Sequence, residues 1–570
     1  MRTPVAKGNK PYRRPRVPGR HAIMTITVSE LIVRYLERLG IDPIFGMPGA
    51  HILPVYDRLR DSRVRSILVK HEQGAAFMAC GYARIAHRPA ACIATAGPGA
   101  TNLVTGIANA YAERLPVLAI TGETSTYIFG RGGLQESAGE GGTIDQVALF
   151  KPITRYARRI ERTDYLGQVL NQTTQALLGR APGPVLLTIP YNVQKERVDP
   201  AVLDQVHIPA PGPAPVPAID ALAALVRDAR APMIVAGDGC IRAGARDTVA
   251  ALAETFGIPV ATSLKAKGVV AEGSPLALGC LGVTSDGAAR RYLVEQADLL
   301  IVLGASFNER TSYLWDTQLT GNRRIAQVDR DPAQLGRVFQ PDVAICGDIL
   351  AAVRALHDAL TDMDMPRKPL PDNRLPAAPD ETSPDDAAFA LVRAFFAQLA
   401  DRFPEDTMVF DDNIVFAQSY YAVSGRNHYF PNTGVSSLGY ALPAAIGARC
   451  FAPDSPTFAI LGDGGFQMCA TEMMTAVNYG IPLNVVVINN GTLSLIRKNQ
   501  FQHYGERYID CDFANPDFEL LARSFGASHY RVADLAGLDA LFANADLERG
   551  LNLIEILLDK QAFPRYLTTR

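Results

Sequence analysis

The stretch from Thr457 to Asn490 reads TFAILGDGGFQMCATEMMTAVNYGIPLNVVVINN. It begins and ends with short apolar runs, and the residues from 469 to 479 have a helical pattern, so it predicts a strand, helix, strand unit. In a parallel unit of this kind, Asp463 and Asn490 follow the two strands and lie at the same edge of the sheet. A carboxylate, an amide oxygen and a main-chain carbonyl such as that of Thr492 are oxygen ligands that suit Mg²⁺, which substrate phosphates and water commonly complete.

The glycines around Asp463 point to a second ligand group. Gly462, Gly464 and Gly465 have no side chain to keep a diphosphate away from the backbone where the helix begins. Taken alone, GDGG is also compatible with an ordinary Asp-Gly turn, but the paired asparagines one strand later favour a functional site.

The composition is that of a globular protein. The 570 residues are enough for three or four domains, 48% of them are hydrophobic and 20% charged, and the formal net charge is −2. No run approaches the roughly 20 apolar residues of a membrane helix, and the near-neutral charge argues against nucleic acid or a membrane surface as a partner. We therefore expect small-molecule partners, and eight scattered cysteines without a C-x-x-C pair that are reduced and mostly buried.

The first residues differ from the rest of the chain. Residues 1–22 contain seven Lys or Arg, four Pro and no acid. They lack the apolar centre of a secretory signal, so a cytoplasmic location is expected. We interpret residues 1–23 as a disordered basic extension, and an anionic partner or a targeting role remains as the alternative.

Two proline-rich stretches, Asp199 to Ala218 and Thr361 to Asp386, divide the remainder into blocks 24–195, 219–358 and 385–565. Each block alternates apolar runs with helical patterns, which predicts an α/β fold with three doubly wound parallel sheets, whose ligands lie beyond the carboxyl ends of the strands. The predicted strands are Ser66–Val69, Ala91–Thr95, Pro116–Thr121, Val185–Ile189, Met233–Ala236, Leu299–Leu303, Ile325–Val328, Met408–Phe410, Thr457–Leu461, Leu483–Ile488 and Leu551–Leu557.

The GDGG and NN motifs together resemble the thiamine diphosphate signature of the acetolactate synthase and pyruvate decarboxylase superfamily, with 24 residues between GDG and NN. Other positions of the longer family pattern match as well: Ile446, Gly447, Pro453, Phe458 and Ile460. The resemblance implies two thiamine diphosphate-binding folds on either side of a Rossmann-like middle domain, with thiamine diphosphate and Mg²⁺ as cofactors. It also implies that Asp463, Asn490 and Thr492 bind the metal, and that the three glycines and Asn490 bind the cofactor.

The resemblance also identifies a catalytic acid. Family members place a glutamate after a strand of the first domain, where its carboxyl group assists the cofactor's aminopyrimidine in removing the thiazolium proton. Glu72, in the sequence HEQGAAFMACGYAR from His71 to Arg84, matches that motif. A solvated glutamate at a helix start is the interpretation that an isolated HEQ would favour.

Five more residues receive roles from the resemblance. Ser436 and Leu438 match the segment that grips the aminopyrimidine, with Leu438 as the apolar support that bends the cofactor. Gly49, in the sequence FGMPGA, matches a cofactor-binding block, and Gln135 matches a glutamine of the substrate channel. His51 matches a histidine of benzaldehyde-lyase-like relatives that faces the reacting carbon, and a structural histidine near a helix start is the alternative.

The middle block resembles the flavin-binding domain of acetolactate synthases, but Asn308, Glu309 and Arg310 stand where those enzymes commonly have DDR. The sequence therefore leaves open whether FAD is a cofactor, because some relatives keep this fold without FAD and others hold a different adenine nucleotide there.

These matches cover nearly the whole chain after residue 24. They imply an enzyme that decarboxylates a 2-oxo acid, with pyruvate as the first candidate, and ligates the remaining fragment to a carbonyl acceptor. The alternatives are a lyase or decarboxylase of 2-hydroxyacyl or other 2-oxo compounds, and an inactive subunit that only binds partners. We expect a homodimer or homotetramer, since in this family the first domain of one subunit faces the last domain of another.

Overall fold

A computed structural model describes residues 25–209, 219–369 and 387–563. The segment 1–23, which we predict to be disordered, lies outside the described residues, as do parts of both proline-rich stretches. Within the described ranges, no helix has the length and apolar character needed to cross a membrane. All eight cysteines are free and six are buried, as predicted.

The N-terminal domain has the strands β1 (Ile26–Thr27), β2 (Ile44–Gly46), β3 (Ser66–Leu68), β4 (Ala90–Ala94), β5 (Val117–Glu123), β6 (Tyr156–Arg159), β7 (Val185–Pro190) and β8 (Arg197–Val198). Its helices are α1 (Val28–Arg38), α2 (Leu53–Leu59), α3 (Glu72–Ala86), α4 (Pro98–Ala112), α5 (Gln146–Phe150), α6 (Leu166–Leu178) and α7 (Tyr191–Gln194). Six strands form a parallel sheet in the order β3-β2-β4-β5-β7-β6, and β1 pairs with β8 in a separate antiparallel ribbon.

The central domain has the strands β9 (Pro232–Ala236), β10 (Val260–Thr262), β11 (Ala277–Cys280), β12 (Leu299–Leu303), β13 (Arg324–Asp329) and β14 (Val343–Cys346). Its helices are α8 (Ile219–Asp228), α9 (Asp238–Arg242), α10 (Arg246–Phe256), α11 (Ala288–Glu295) and α12 (Ile349–Asp362). The strands form a parallel sheet in the order β11-β10-β9-β12-β13-β14, which is the strand order 3-2-1-4-5-6 of a Rossmann fold.

The C-terminal domain has the strands β15 (Met408–Asp411), β16 (His428–Pro431), β17 (Thr457–Gly462), β18 (Leu483–Asn489), β19 (Ser528–Val532) and β20 (Leu551–Leu557). Its helices are α13 (Ala390–Arg402), α14 (Val415–Tyr420), α15 (Ala441–Arg449), α16 (Asp463–Gln467), α17 (Met473–Tyr479), α18 (Ser494–His503), α19 (Phe518–Phe525) and α20 (Leu535–Asn544). The parallel order β16-β15-β17-β18-β20-β19 repeats the topology of the N-terminal sheet, so two like sheets flank a Rossmann-like one.

The predicted strands are confirmed, each with ends shifted by no more than about two residues. The three sheets fall within the ranges 24–195, 219–358 and 385–565, and only β8 lies just beyond the first range. The prediction of a single helix from Cys469 to Tyr479 is wrong at its start. Residues Ala470–Glu472 form a 3₁₀ turn before α17, and a separate short helix, α16, begins at Asp463.

The N-terminal and C-terminal domains share one hydrophobic core, because α3 and α15 cross each other between the two sheets. The crossing depends on glycine at two positions. A Cβ atom at Gly81 would lie 1.9 Å from the Ala444 carbonyl oxygen, and one at Gly447 would lie 2.0 Å from that of Met78. Since neither glycine has a side chain, the two backbones come into direct contact, and the position of α3 is set by the C-terminal domain.

Candidate functional site

The first half of the candidate site lies at the carboxyl edge of the N-terminal sheet, where β2 and β4 lead into helices. These strands are adjacent, and the chain continues from them in opposite directions across the sheet, which creates a crevice of the kind that binds ligands in α/β proteins. Gly49 follows β2 and lies against the side chain of Thr95, which follows β4. The sequence motifs FGMPGA and TAGPGATN therefore meet at this crevice.

Glu72 is the first residue of α3 at the same edge. His71 caps the helix, because its ring nitrogen accepts a hydrogen bond from the Gln73 main-chain nitrogen. The Glu72 side chain is only 8% exposed, and one of its carboxylate oxygens accepts a hydrogen bond of 2.9 Å from Asn102 Nδ2. Asn102 belongs to TAGPGATN but was not predicted as a site residue. It fixes the orientation of the Glu72 carboxylate.

Gln135 and His51 lie together beside this crevice. Gln135 Oε1 is 3.3 Å from His51 Nδ1 and accepts a hydrogen bond of 3.3 Å from Thr95 Oγ1. Gln135 has a φ of 55°, in the left-handed region that few residues other than glycine adopt. Strained backbone of this kind clusters at functional sites, where the surrounding structure must hold it in place.

Two buried carboxylates hold the loop that carries Gln135. Glu136 accepts hydrogen bonds from the main-chain nitrogens of Gly130 and Gly133, at 2.5 Å and 2.8 Å. Glu123, at the end of β5, accepts one of 3.0 Å from the Ser137 nitrogen. The strained loop is thus anchored on both sides of Gln135, which keeps its side chain beside His51.

The second half of the candidate site lies at the carboxyl edge of the C-terminal sheet. Gly462 pairs with Ile488 in the β17–β18 register, so Asp463 and Asn490 are neighbours, as their spacing predicts. Asp463 is 1% exposed, and its Oδ2 accepts hydrogen bonds from the main-chain nitrogens of Asn490 (3.1 Å) and Gly491 (2.6 Å). It also accepts one of 2.8 Å from Asn515 Nδ2, a contact that the sequence did not predict because Asn515 is 52 residues away.

The donor set around Asp463 fits a hard divalent cation. Asn490 Nδ2 donates to Ser494 Oγ at 2.6 Å, so the amide oxygen is turned away from that contact. Thr492 is buried, and its hydroxyl donates a hydrogen bond to the Cys511 carbonyl. The Thr492 side chain therefore anchors the loop, and the Thr492 main-chain carbonyl takes no part in that contact. A carboxylate, an amide oxygen and a main-chain carbonyl are oxygen ligands of the kind that Mg²⁺ takes.

Asp412, which follows β15, connects the glycine turn to the segment that carries Ser436 and Leu438. Its carboxylate accepts hydrogen bonds from the main-chain nitrogens of Gly439 (2.8 Å) and Tyr440 (3.0 Å). A Cβ atom at Gly465 would lie 2.6 Å from Asp412 Oδ2, so only glycine allows this approach. Burial raises the pKa of Asp412 to about 7. Two acidic residues directly after a predicted strand are a signal that could have identified it.

The Ser436–Tyr440 segment lies at the rim of this second half. Ser436 is exposed and has a φ of 56°, Leu438 is half-buried, and Asn432 Nδ2 donates to the Ser437 carbonyl. The side-chain oxygens of Asn413 and Asn432 are buried and lack a hydrogen-bond partner within the described residues. Unpaired buried acceptors beside a cleft are compatible with a ligand that donates hydrogen bonds.

Glu72 and Asp463 use separate partners within one chain. The hydrogen bonds of Glu72 and those of Asp463, in the described residues, go to different groups and share none. Large apolar side chains are exposed beside both halves: Tyr127 (68%) and Leu134 (72%) near Gln135, and Met468 (63%) near Gly439. Exposed apolar side chains indicate a protein interface where they form a contiguous patch.

A third cavity, of about 390 Å³, lies at the carboxyl edge of the central sheet. It contains Gly239 and Gly304, which follow the adjacent strands β9 and β12, and Asp329 at the end of β13. Asn308 of the NER sequence also lines it. The basic residues at its wall are Arg114, Arg180, Arg242, Lys265, Arg330 and Arg337.

Comparisons with known proteins agree with this arrangement. Three family models match the chain: the N-terminal TPP binding domain of thiamine pyrophosphate enzymes (residues 26–149), their central domain (219–356) and their C-terminal TPP binding domain (413–556). The chain is 33% identical to a probable acetolactate synthase large subunit of Methanocaldococcus jannaschii, over 93% of this chain and 92% of that protein.

Two further relatives have the same description. The acetolactate synthase large subunit of Corynebacterium glutamicum is 33% identical over 89% of this chain and 82% of its own length. The acetolactate synthase isozyme 2 large subunit of Escherichia coli is 31% identical over 93% of this chain and 95% of its own length. The similarity therefore spans all three domains.

Proposed function

Because the chain belongs to the thiamine diphosphate enzyme family that includes acetolactate synthase large subunits, we propose that it decarboxylates pyruvate and ligates the remaining fragment to a carbonyl acceptor. One observation carries the proposal. Glu72 and Asp463 stand at corresponding edges of two like-folded sheets, each with its own set of positioned partners. These are the two groups that activation of the cofactor and retention of its diphosphate require.

In the proposed enzyme, bound thiamine diphosphate supplies the carbon nucleophile and the electron sink for decarboxylation. Asp463, Asn490 and the Thr492 carbonyl would hold Mg²⁺, and Gly462, Gly464 and Gly465 would leave room for the diphosphate. Ser436 and Leu438 support the aminopyrimidine. Glu72 exchanges a proton with that ring, and Asn102 keeps the carboxylate turned toward it.

We propose that the active enzyme is a homodimer, or a tetramer built from such dimers. Among the described residues of one chain, Glu72 and Asp463 share no hydrogen-bonding partner, and exposed apolar residues such as Leu134 and Met468 lie beside them. A dimer in which the N-terminal domain of one subunit faces the C-terminal domain of the other would cover these side chains. It would also bring Glu72 to the partner subunit's metal corner.

Gln135 and His51 form the wall beside Glu72 and are therefore proposed to contact the substrate. Their pairing at 3.3 Å supports the second candidate function, a lyase or decarboxylase of 2-hydroxyacyl or other 2-oxo compounds, in which His51 exchanges a proton with the substrate. The two functions differ in their products, because only the first yields CO₂ together with a ligated acceptor.

We propose that the central cavity binds an adenine nucleotide, with FAD as the first candidate. Three of the six basic residues at its wall, Arg114, Arg242 and Lys265, pair with Asp331, Asp238 and Glu113. The other three, Arg180, Arg330 and Arg337, are the ones that match the phosphates that FAD and other adenine nucleotides share. Its position between the diverging strands β9 and β12 is where Rossmann-like folds bind such ligands.

The test of the main proposal is to incubate the purified protein with thiamine diphosphate, Mg²⁺ and pyruvate, alone and with a panel of aldehydes and 2-oxo acids. We expect CO₂ and a ligated product. Glu72→Gln should still bind the cofactor but lose most of this turnover, because the amide cannot exchange a proton with the ring. Failure to release CO₂ from pyruvate or any other 2-oxo acid would contradict the proposal.

A further inference from the structure

Glu472 lies outside the residues assigned above, yet it contacts the segment that carries Glu72. It is 2% exposed and ends the 3₁₀ turn Ala470–Glu472, nine residues after Asp463. Its Oε1 accepts hydrogen bonds from the main-chain nitrogens of Lys70 (3.1 Å) and His71 (3.0 Å). A carboxylate of the C-terminal domain therefore binds the two residues that precede the proposed catalytic acid.

The contact is tight and specific. Glu472 Oε2 accepts a hydrogen bond of 2.6 Å from Thr475 Oγ1, which fixes the carboxylate on its own side. On the other side, a Cβ atom at Gly74 would lie 2.2 Å from Glu472 Oε1, so the first turn of α3 packs directly on the carboxylate. The carboxylate is held between Thr475 and the Lys70–Gly74 segment, with little room to move.

The physical need for this acceptor follows from the helix start. The main-chain nitrogens before and within the first turn of a helix have no partner inside the helix, so they need an external acceptor. Water cannot replace the carboxylate easily, since Glu472 is almost fully buried. Without it, the main-chain nitrogens of the half-buried Lys70 and the exposed His71 would lose their acceptor, and the first turn of α3 would rearrange to find another.

We propose that Glu472 is a positioning residue that holds Glu72 in the orientation required to exchange a proton with the aminopyrimidine. The inference rests on the proposed function, because it assigns Glu72 that role. Glu472 does not touch the cofactor in this scheme. It acts through the backbone of Lys70 and His71, while Asn102 donates a hydrogen bond to the Glu72 carboxylate itself.

The positioning role predicts different activities for Glu472→Ala and Glu472→Gln. Glutamine keeps an oxygen that accepts from Lys70 and His71, and its new amide group can donate to the Thr475 hydroxyl, which rotates to accept. Alanine removes both interactions. If Glu472 positions the helix start, glutamine restores function; if it passed protons to Glu72, glutamine would be as damaging as alanine.

The measurement is the exchange of the C2 proton of thiamine diphosphate bound to the holoenzyme, followed in D₂O by rapid acid quench and ¹H NMR. We expect Glu472→Ala to slow the exchange and kcat together by about tenfold to a hundredfold, since misplacing a reacting group by about 1 Å has effects of this size. Glu472→Gln should stay within about threefold of the original protein. Affinity for Mg²⁺ and thiamine diphosphate should be unchanged in both, because the Asp463 site is intact.

Asp298→Ala is the matched control. The Asp298 carboxylate also accepts from two consecutive main-chain nitrogens, those of Arg230 (2.8 Å) and Ala231 (2.9 Å), but in the central domain. We expect it to lower stability without slowing the exchange. If Glu472→Ala fails to fold, Gly74→Ala perturbs the same contact from the helix side and should slow the exchange as well.

Each outcome decides a question. An unchanged exchange rate in folded Glu472→Ala, or in Gly74→Ala, would overturn the positioning role, and so would a Glu472→Gln variant as slow as Glu472→Ala. An absence of C2 exchange in the original protein would instead overturn the proposed function itself, so the two failures are distinguishable.

Discussion

The crossing of α3 and α15 gives the most quantitative prediction, for Gly81→Ala. The new Cβ atom would lie 1.9 Å from the Ala444 carbonyl oxygen, whereas an ordinary contact begins at 3.4 Å. Both helices must therefore separate by about 1.5 Å, which is more than a packed core usually absorbs. Overpacking of this kind costs about 3 kcal/mol or more, the upper end of the common range.

The same shift should reach the active site. Glu72 begins the helix in which Gly81 lies, so a displacement of about 1.5 Å moves the proposed catalytic carboxylate, and we expect kcat to fall about a hundredfold. Stability is measured by urea unfolding, and activity is expressed per folded molecule. Gly273→Ala is the control, because nothing lies within 4 Å of a Cβ atom there, and it should change neither quantity appreciably.

Gly447→Ala tests the reasoning from the other helix, since its Cβ atom would lie 2.0 Å from the Met78 carbonyl oxygen. Gly81 and Gly447 lie in the same contact between α3 and α15. If the first substitution pushes the two helices apart, it also relieves part of the steric clash that the second substitution causes. We expect the double variant to be more stable than the sum of the two losses implies. Full additivity, or single variants that behave like Gly273→Ala, would refute the idea that this crossing positions Glu72.

Three further outcomes are expected. Asp463→Ala should lose metal-dependent retention of thiamine diphosphate, measured as cofactor released on gel filtration, and EDTA should release no more cofactor from this variant. The apoprotein should lose stability, on the order of 4 kcal/mol, as the pH rises from 5 to 8. Burial raises the pKa of Asp411 to about 6 and that of Asp412 to about 7, so the folded state still holds protons that the unfolded chain has already released. Urea midpoints across this pH range measure the loss, which should be smaller in Asp412→Asn. If FAD is bound, the purified protein absorbs visible light and Arg180→Ala releases the flavin on dialysis; a colourless protein that binds ADP instead would assign the cavity to another adenine nucleotide.

Most strands that were predicted from the sequence share one property: both faces are buried, the exception being the edge strand Ser66–Leu68. Leu299–Leu303 and Leu483–Asn489 lie inside their sheets, so nearly every residue is apolar and the run is easy to recognise. The missed strands are short or lie at sheet edges. Tyr156–Arg159 and Ser528–Val532 are edge strands with charged residues in them, because one side of an edge strand meets solvent. Their sequences therefore do not differ from those of loops.

The site shows a similar division. Asp463 and Asn490 were predictable because each directly follows an apolar strand, and parallel pairing then makes them neighbours. Asn515 and Glu472 have no such signal. Their partners, Asp463 and His71, lie 52 and 401 residues away along the chain, and no local pattern reports a contact of that kind.

The residues that sequence analysis missed have a common physical role. Asp463 and Asn490, which are proposed to hold the metal, lie at strand ends where the sheet geometry places them, and so their spacing in the sequence is constrained. Groups that position such residues only need to present an acceptor to an unpaired backbone nitrogen, and any nearby element can supply it. Asp412 does this for Gly439, as Glu472 does for His71. Positioning residues of this enzyme are therefore to be found by following buried main-chain donors in the structure, and the effect of Glu472→Ala on proton exchange decides whether that rule identifies function.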